Sequence, residues 1–274
     1  MESQKLQDSL KFISQKSKTK PSVAIILGSG LGSFGDELVE KVIIDCHDIP
    51  HYPVPRVAGH AGVWIIGKLA NVPILALKGR VHNYEGYSTR QVSYPIRLLA
   101  KIGIDKLVVT NAAGAINKDF NPGDLMLIKD HINFLFDSPL IGDNKLPADQ
   151  RFIDLSRAYD PKYFEGALNV SQSLQIPLRT GVLICFKGPS YETAAEIKMA
   201  RIIGADAGTM STVPEVIAAN QLKMRVLGIS CITNMATGIT DKKLSHEEVT
   251  KTADQIKDKF VRLTKEILKQ LPSW

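Results

Sequence analysis

Short apolar runs that break at glycine, alternating with segments of helical spacing, constrain this 274-residue chain more than any other feature. Val23–Leu27 is wholly apolar and stops at Gly28. A run of that length, bounded by glycine, reads as a buried strand, because a strand covered on both faces must be apolar at every position. Residues 41–45, 63–68, 106–110, 124–129, 179–186 and 225–233, with Val72–Lys78, extend the series of strands. Residues 3–17, 89–102, 161–174, 192–203, 213–223 and 246–271 read as helices, from apolar spacing or from proline and glycine at their ends. After 106–110 a loop of small residues is expected. The alternation predicts a three-layer α/β fold with a mixed, mostly parallel central sheet flanked by helices. Residues 137–160 form the one long irregular stretch. No linker or repeat divides the chain, so a single domain over 1–274 is expected.

Several function classes fall away on composition. No apolar run approaches the roughly 20 residues that cross a bilayer. The first twenty residues are polar and lysine-rich without an apolar signal core, so a cytoplasmic protein is expected. Cys46, Cys185 and Cys231 are far apart and form no Cys-x-x-Cys pair, which suits buried thiols better than disulfides or a zinc ribbon. The net charge of +6 comes from lysines clustered near the two ends. No nucleic-acid reader motif accompanies them, so they read as solvated helix faces, although a positive surface still attracts small anions. The six histidines, at 47, 51, 60, 82, 131 and 246, have no metal-ligand spacing.

Ligands of open α/β folds gather beyond the carboxyl ends of strands. The first strand is followed by Gly28-Ser29-Gly30-Leu31-Gly32-Ser33. Ser33 stands where the dinucleotide fingerprint needs its third glycine, and no Gly-Lys-Ser/Thr follows, so an anion cradle and a plain tight turn both remain open. Leu27 likewise breaks the Gly-x-Ser-x-Gly spacing of a nucleophilic serine. Val72–Lys78 leads into Gly79-Arg80-Val81-His82-Asn83-Tyr84-Glu85-Gly86. If the chain stays extended, Arg80, His82 and Tyr84 share a face, and Arg80 offers a fork suited to phosphate. Thr212 and Glu215 have capping-box spacing around Pro214, which puts Ser211 beside helix N–H groups where an anion is welcome. Glu192 is expected in the first turn of a helix, with Tyr191 beside it. It serves either the helix dipole or a ring-binding pocket. Asn234, closing the last strand, is either a turn residue or a donor–acceptor pair for a heterocycle.

These segments, together with Gly59-His60-Ala61-Gly62, Thr110-Asn111-Ala112-Ala113-Gly114 and Ser245-His246-Glu247-Glu248-Val249, resemble in order and content the low-molecular-mass, trimeric purine nucleoside phosphorylases. The resemblance spans roughly residues 21–250 and implies a phosphorylase fold and a homotrimer. It implies cleavage of inosine and guanosine by inorganic phosphate, a co-substrate, with no organic cofactor and no metal. Ser29, Arg80, His82, Ser211, the N–H of Ala112 and His60 would hold phosphate. Tyr84, Met210 and His246 would line the ribose, joined by Phe152 from an adjacent subunit. Glu192 and Asn234 would hold the purine beside Tyr191. In this reading Glu192, Asn234 and His82 carry the catalysis. Tyr191 replaces the phenylalanine common in the family, and Met235 replaces the lysine of vertebrate members, as bacterial members do. Methylthioadenosine and xanthosine phosphorylases are the nearest alternatives. Asn234 and His246 argue against the former.

Overall fold

A computed structural model describes residues 2–57, 61–142, 146–240, 251–252 and 254–274. Its strands are β1 (Val23–Leu27), β2 (Val39–Asp45), β3 (Val63–Leu69), β4 (Val72–Lys78), β5 (Lys106–Ala115), β6 (Leu125–Asn133), β7 (Leu178–Cys185), β8 (Ala207–Thr209) and β9 (Arg225–Met235). Its α-helices are α1 (Glu2–Lys16), α2 (Thr89–Val92), α3 (Tyr94–Ile102), α4 (Ala148–Arg151), α5 (Pro161–Ser173), α6 (Ala194–Ile202), α7 (Val213–Gln221) and α8 (Lys257–Gln270).

All the strands join one mixed sheet in the order β2-β3-β4-β1-β5-β8-β7-β6-β9. β1 lies parallel between β4 and β5, while β2, β3 and β4 run antiparallel at the open edge. β1 also explains its own sequence. Ala24 and Ile26 face one side, where Leu6 and Ile13 of α1, Leu98 and Leu99 of α3 and Val216 of α7 complete a core. Val23, Ile25 and Leu27 face the other, against Tyr163 and Ala167 of α5 and Phe260, Leu263 and Ile267 of α8. Alternate residues enter two cores, so no position is left for a polar side chain. The layered fold thus matches the sequence expectation.

One feature exceeds that expectation. β5 pairs with β9 as well as with β8, and β9 pairs with β6, so β5, β8, β7, β6 and β9 close into a ring. Closure keeps β5 in the sheet through the small residues 111–115, where their composition predicts a loop. β8, three residues long, is too short to carry a periodic signal.

Other boundaries also move. The helix expected at 89–102 splits at Ser93, because Pro95 lacks the N–H that would continue α2. α6 begins at Ala194, after an N-cap by Thr193 whose capping-box partner is Glu196, so Glu192 precedes the helix instead of lying in its first turn. The box expected from Thr212 and Glu215 does not form, since the Thr212 side chain makes no capping bond. β6 and β9 run longer than expected, and α4 interrupts the irregular stretch. The expected start of the last helix, at 246, lies outside the described residues.

Candidate active site

The carboxyl ends of β1, β4, β5, β7, β8 and β9 open on a common cleft. Ser29, Arg80, His82, Tyr84 and Ala112 line it together with Tyr191, Glu192, Met210, Ser211 and Asn234. Ten of the sequence-expected site residues are therefore brought together. His60 and His246 lie outside the described residues. Phe152 is elsewhere: it follows α4, is 76% exposed, and borders a separate hollow with His131 and Asn133.

Arg80 is the best-anchored polar group in the cleft. Nη2 donates to the Thr110 carbonyl at 2.7 Å, and Nη1 donates to Ser211 Oγ at 2.9 Å and Thr212 Oγ1 at 3.1 Å. Nε faces Glu215 Oε1 at 3.3 Å, and both side chains of this ion pair are 4% exposed. A guanidinium held in this way keeps one orientation, which fixes its positive charge in place for an oxyanion in the cleft. His82 is fixed in a similar way. Its Nδ1 lies 3.0 Å from Glu85 Oε1, which also accepts the His82 N–H, and its ring stacks on Tyr84 at 4.6 Å. Burial works against ionised Glu85, yet hydrogen bonds from His82 and from the Arg56 N–H outweigh it and hold the carboxyl below its ordinary range. Burial, reinforced by the charge of Glu85, pushes the Tyr84 phenol up to about 12. The 82–85 segment is not extended, since Asn83–Glu85 forms a 3-10 turn capped by His82.

Glycine-28 shows why the first loop is glycine-rich. A Cβ there would stand 2.7 Å from Asn111 Cα, so only glycine lets β1 exit so close to β5. Its N–H donates to Thr110 Oγ1.

The other wall of the cleft is built by a bulge. Ala113 pairs with Ile232 but Gly114 pairs with Asn234, so Thr233 is an extra residue in β9. Bulges re-aim side chains beside functional sites. Here Asn234 enters the cleft, and Gly114 leaves it room: a Cβ at Gly114 would lie 3.0 Å from Asn234 Nδ2. Thr233 Oγ1 donates to Asn234 Oδ1 at 2.8 Å. Across from it Glu192 is half-buried, and burial, with the nearby charge of Glu196, raises its carboxyl above the ordinary range.

Sequence reasoning missed the supporting residues. Thr212, Glu215 and Glu85 stood inside quoted motifs but were read as caps or passed over. Asn111 stands inside the Thr110–Gly114 motif and Thr233 closes an expected strand, but neither was given a role. Among the described residues, no group of three His, Cys, Asp or Glu side chains is placed to hold a metal, and no helix is long and apolar enough to cross a membrane.

Comparison with known proteins agrees with this geometry. The model of the phosphorylase superfamily matches residues 22–269. Purine nucleoside phosphorylase 1 of Bacillus subtilis (strain 168) is 48% identical over 259 residues, covering 94% of this chain and 96% of the relative. The chain belongs to the purine nucleoside phosphorylases. Crystal structures of the schistosome purine nucleoside phosphorylase with hypoxanthine, and of the Schistosoma mansoni enzyme with adenosine, have 33% identity to it. Each superposes with a TM-score of 0.91 over 98% of both chains. The enzyme's layered architecture and ring of strands are thus set beside solved phosphorylases of nearly equal length.

Proposed function

We propose that the cleft phosphorolyses inosine, guanosine and their 2′-deoxy forms to the free base and (2-deoxy)ribose 1-phosphate, in purine salvage. One observation carries this reading. A single cleft joins a buried, fully braced guanidinium beside two hydroxyls with a carboxylate and a carboxamide suited to the edge of a heterocycle. A hydrolase has no need of the first group, and a phosphate-binding protein has no need of the second.

In this reading Arg80, His82, Ser29, Ser211 and the N–H of Ala112, with His60, hold phosphate beneath the sugar. Tyr84, Met210 and His246 line the ribose. As the bond from C1′ to N9 breaks, the sugar becomes oxocarbenium-like and the purine gathers negative charge. Phosphate stabilises the developing cation and captures C1′ from the opposite face, with inversion. Asn234 donates to N7, a contact that strengthens as the base becomes anionic, while ionised Glu192 accepts from N1–H and holds the base in place. No enzyme-bound covalent intermediate is needed.

The same contacts set base choice. Adenine has no N1 proton, and it would bring a lone pair against the Glu192 carboxylate. Sites built on such hydrogen bonds reject a mismatched ligand by up to roughly 10⁴-fold. The Schistosoma mansoni relative has been crystallised with adenosine, so preference rests on the hydrogen-bond argument and not on kinship.

Assembly belongs to the proposal. Phe136, Ile141 and Phe152 are 84%, 67% and 76% exposed. Such apolar exposure suits a face covered by another copy, and a closed homotrimer would carry Phe152 into a neighbour's ribose pocket. A cytoplasmic location is part of the same reading.

The test is release of hypoxanthine from inosine with and without phosphate, alongside adenosine, with light scattering on the same sample. Phosphate-dependent formation of ribose 1-phosphate, a higher kcat/KM for inosine and a mass of three 30.1 kDa chains are expected. Equal release in phosphate-free buffer would overturn phosphorolysis. Equal kcat/KM for the two nucleosides would overturn the roles of Glu192 and Asn234. Full activity in a monomer would overturn the shared site.

A further inference from the structure

We propose that Thr212 is a positioning residue that turns the hydroxyl proton of Ser211 toward bound phosphate. This rests on the reading of the cleft as a phosphate site.

Thr212 has φ 76° and ψ −49°. Val213 N–H donates to the Ser211 carbonyl at 2.9 Å, closing a γ-turn of the rare positive-φ kind. Positive φ is uncommon outside glycine, and in a β-branched residue it is a true outlier that its surroundings must enforce. The usual reason for threonine at the start of a helix is a capping bond to the first turn, and Thr212 makes none. Its hydroxyl points to the cleft machinery instead.

The protons can be followed one by one. A hydroxyl has two lone pairs and one proton. Thr212 is fully buried, and its Oγ1 accepts from Arg80 Nη1 at 3.1 Å and from Asn111 Nδ2 at 2.9 Å. With both lone pairs engaged, it has only its proton to give, and Ser211 Oγ lies 3.2 Å away. Ser211 Oγ then accepts from Thr212 and from Arg80 Nη1 at 2.9 Å. Ser211 is thereby also left as a donor. Within the protein its outlet is Thr209 Oγ1 at 3.4 Å, near the limit of a hydrogen bond, and Thr209 itself donates to the Ala112 carbonyl. An anion in the cleft offers a charged acceptor, and such bonds are about twice as strong as neutral ones. Thr212 thus converts a fixed cation and an amide into a directed row of hydroxyls that ends on the ligand. Glycine would adopt this backbone without strain but would break the row. Threonine in so unfavourable a conformation is accounted for by its hydroxyl.

The variants T212V, T212G and T212S separate these roles. The assay is steady-state phosphorolysis with phosphate varied at saturating inosine, and the reverse. T212V and T212G are expected to raise KM for phosphate roughly tenfold, the effect of one lost hydrogen bond. KM for inosine, and kcat at saturating phosphate, should move by less than about threefold, a fraction of that bond's worth. T212S, which keeps the hydroxyl, should restore the parent phosphate KM. T212G guards against misfolding of the turn, since glycine adopts this backbone without strain, and thermal unfolding of each variant checks that it is folded at the assay temperature. A parent-like phosphate KM in T212G and T212V, or equal damage to both KM values, would overturn the proposal for Thr212 while leaving the phosphate site in place. Phosphate-independent cleavage by the parent enzyme would instead overturn the site and this role together.

Discussion

Glu215 offers the sharpest test of how the cleft is held ready. It faces Arg80 at 3.3 Å with both side chains 4% exposed, and its second carboxylate oxygen, Oε2, has no hydrogen-bond partner among the described residues. The carboxylate therefore contributes charge more than hydrogen bonding. Removing it takes away the charge that faces Nε, while the Thr110 carbonyl and the hydroxyls of Ser211 and Thr212 that accept from the guanidinium are neutral. Breaking a buried pair in this way costs about 3–5 kcal/mol. E215A should lose that much, with roughly 2–4 °C of melting temperature for each kcal/mol in a chain near this size. E215Q keeps the shape and one acceptor for Nε, so its loss should be about 1–3 kcal/mol. With the Glu215 charge gone, bound phosphate supplies a replacement counter-charge. Ligand at 100 times its Kd adds about 2.7 kcal/mol to a folded state that binds it. Phosphate should consequently raise the melting temperature of E215Q by more than that of the parent. The assay is thermal unfolding of parent, E215Q and E215A in phosphate-free buffer and in graded phosphate. An E215A variant that melts within about 1 °C of the parent would show that the pair carries no such energy. A phosphate increment no larger in E215Q than in the parent would refute the counter-charge argument.

Three further outcomes are expected. Burial raises the Glu192 carboxyl, so the folded state favours its proton; stability from this group is full below the ordinary carboxylate range and is lost as pH rises through the raised value. E192Q should therefore melt higher than the parent near neutral pH and converge with it in acid, while parent activity declines on the acid side as Glu192 protonates; a lower melting point for E192Q at neutral pH would contradict this. G28A must relieve a 2.7 Å approach to Asn111 Cα, costing about 1–3 kcal/mol and displacing Ser29 enough to lower kcat/KM about 10²-fold; unchanged melting and kinetics would show that the two strand ends separate freely. If Phe152 completes a neighbour's site, mixing F152A with R80A subunits under conditions that exchange them should regain activity that neither has alone, whereas a mixture no better than its parts would confine each site to one chain.

The parts of the molecule legible in its sequence are those governed by short-range rules. β1 and β4 were read to the residue, because two-sided burial demands unbroken apolar runs. Gly103 ended α3 as expected, taking φ 97°. The cleft residues were legible where a strand end carried an unusual group, as at Arg80 and Asn234. What stayed hidden depends on pairing between distant segments. The bulge at Thr233 exists only in register with Gly114, and the continuation of β5 through 111–115 exists only because β8 and β9 flank it. Thr212 and Glu215 were misread for a related reason. Their spacing fits a cap, but Arg80, far away in sequence, recruits both side chains. Local propensity yielded to a long-range ion pair.

The ring of strands also has a consequence for how the chain is made. β9 is the last strand in chain order, yet it occupies the position between β5 and β6. While the ribosome is still extending the chain, the edges of β5 and β6 that will receive β9 are open. Exposed edges of apolar strands pair readily with other chains. The nascent enzyme therefore passes through a stage in which its most central strand is a template for aggregation, and in which the pocket wall bearing Asn234 does not yet exist. Pairing across so many intervening residues is also slow. Yield of native protein during production should accordingly be governed by the interval between release of β9 and its insertion, which slower synthesis at lower temperature or lower chain concentration would protect.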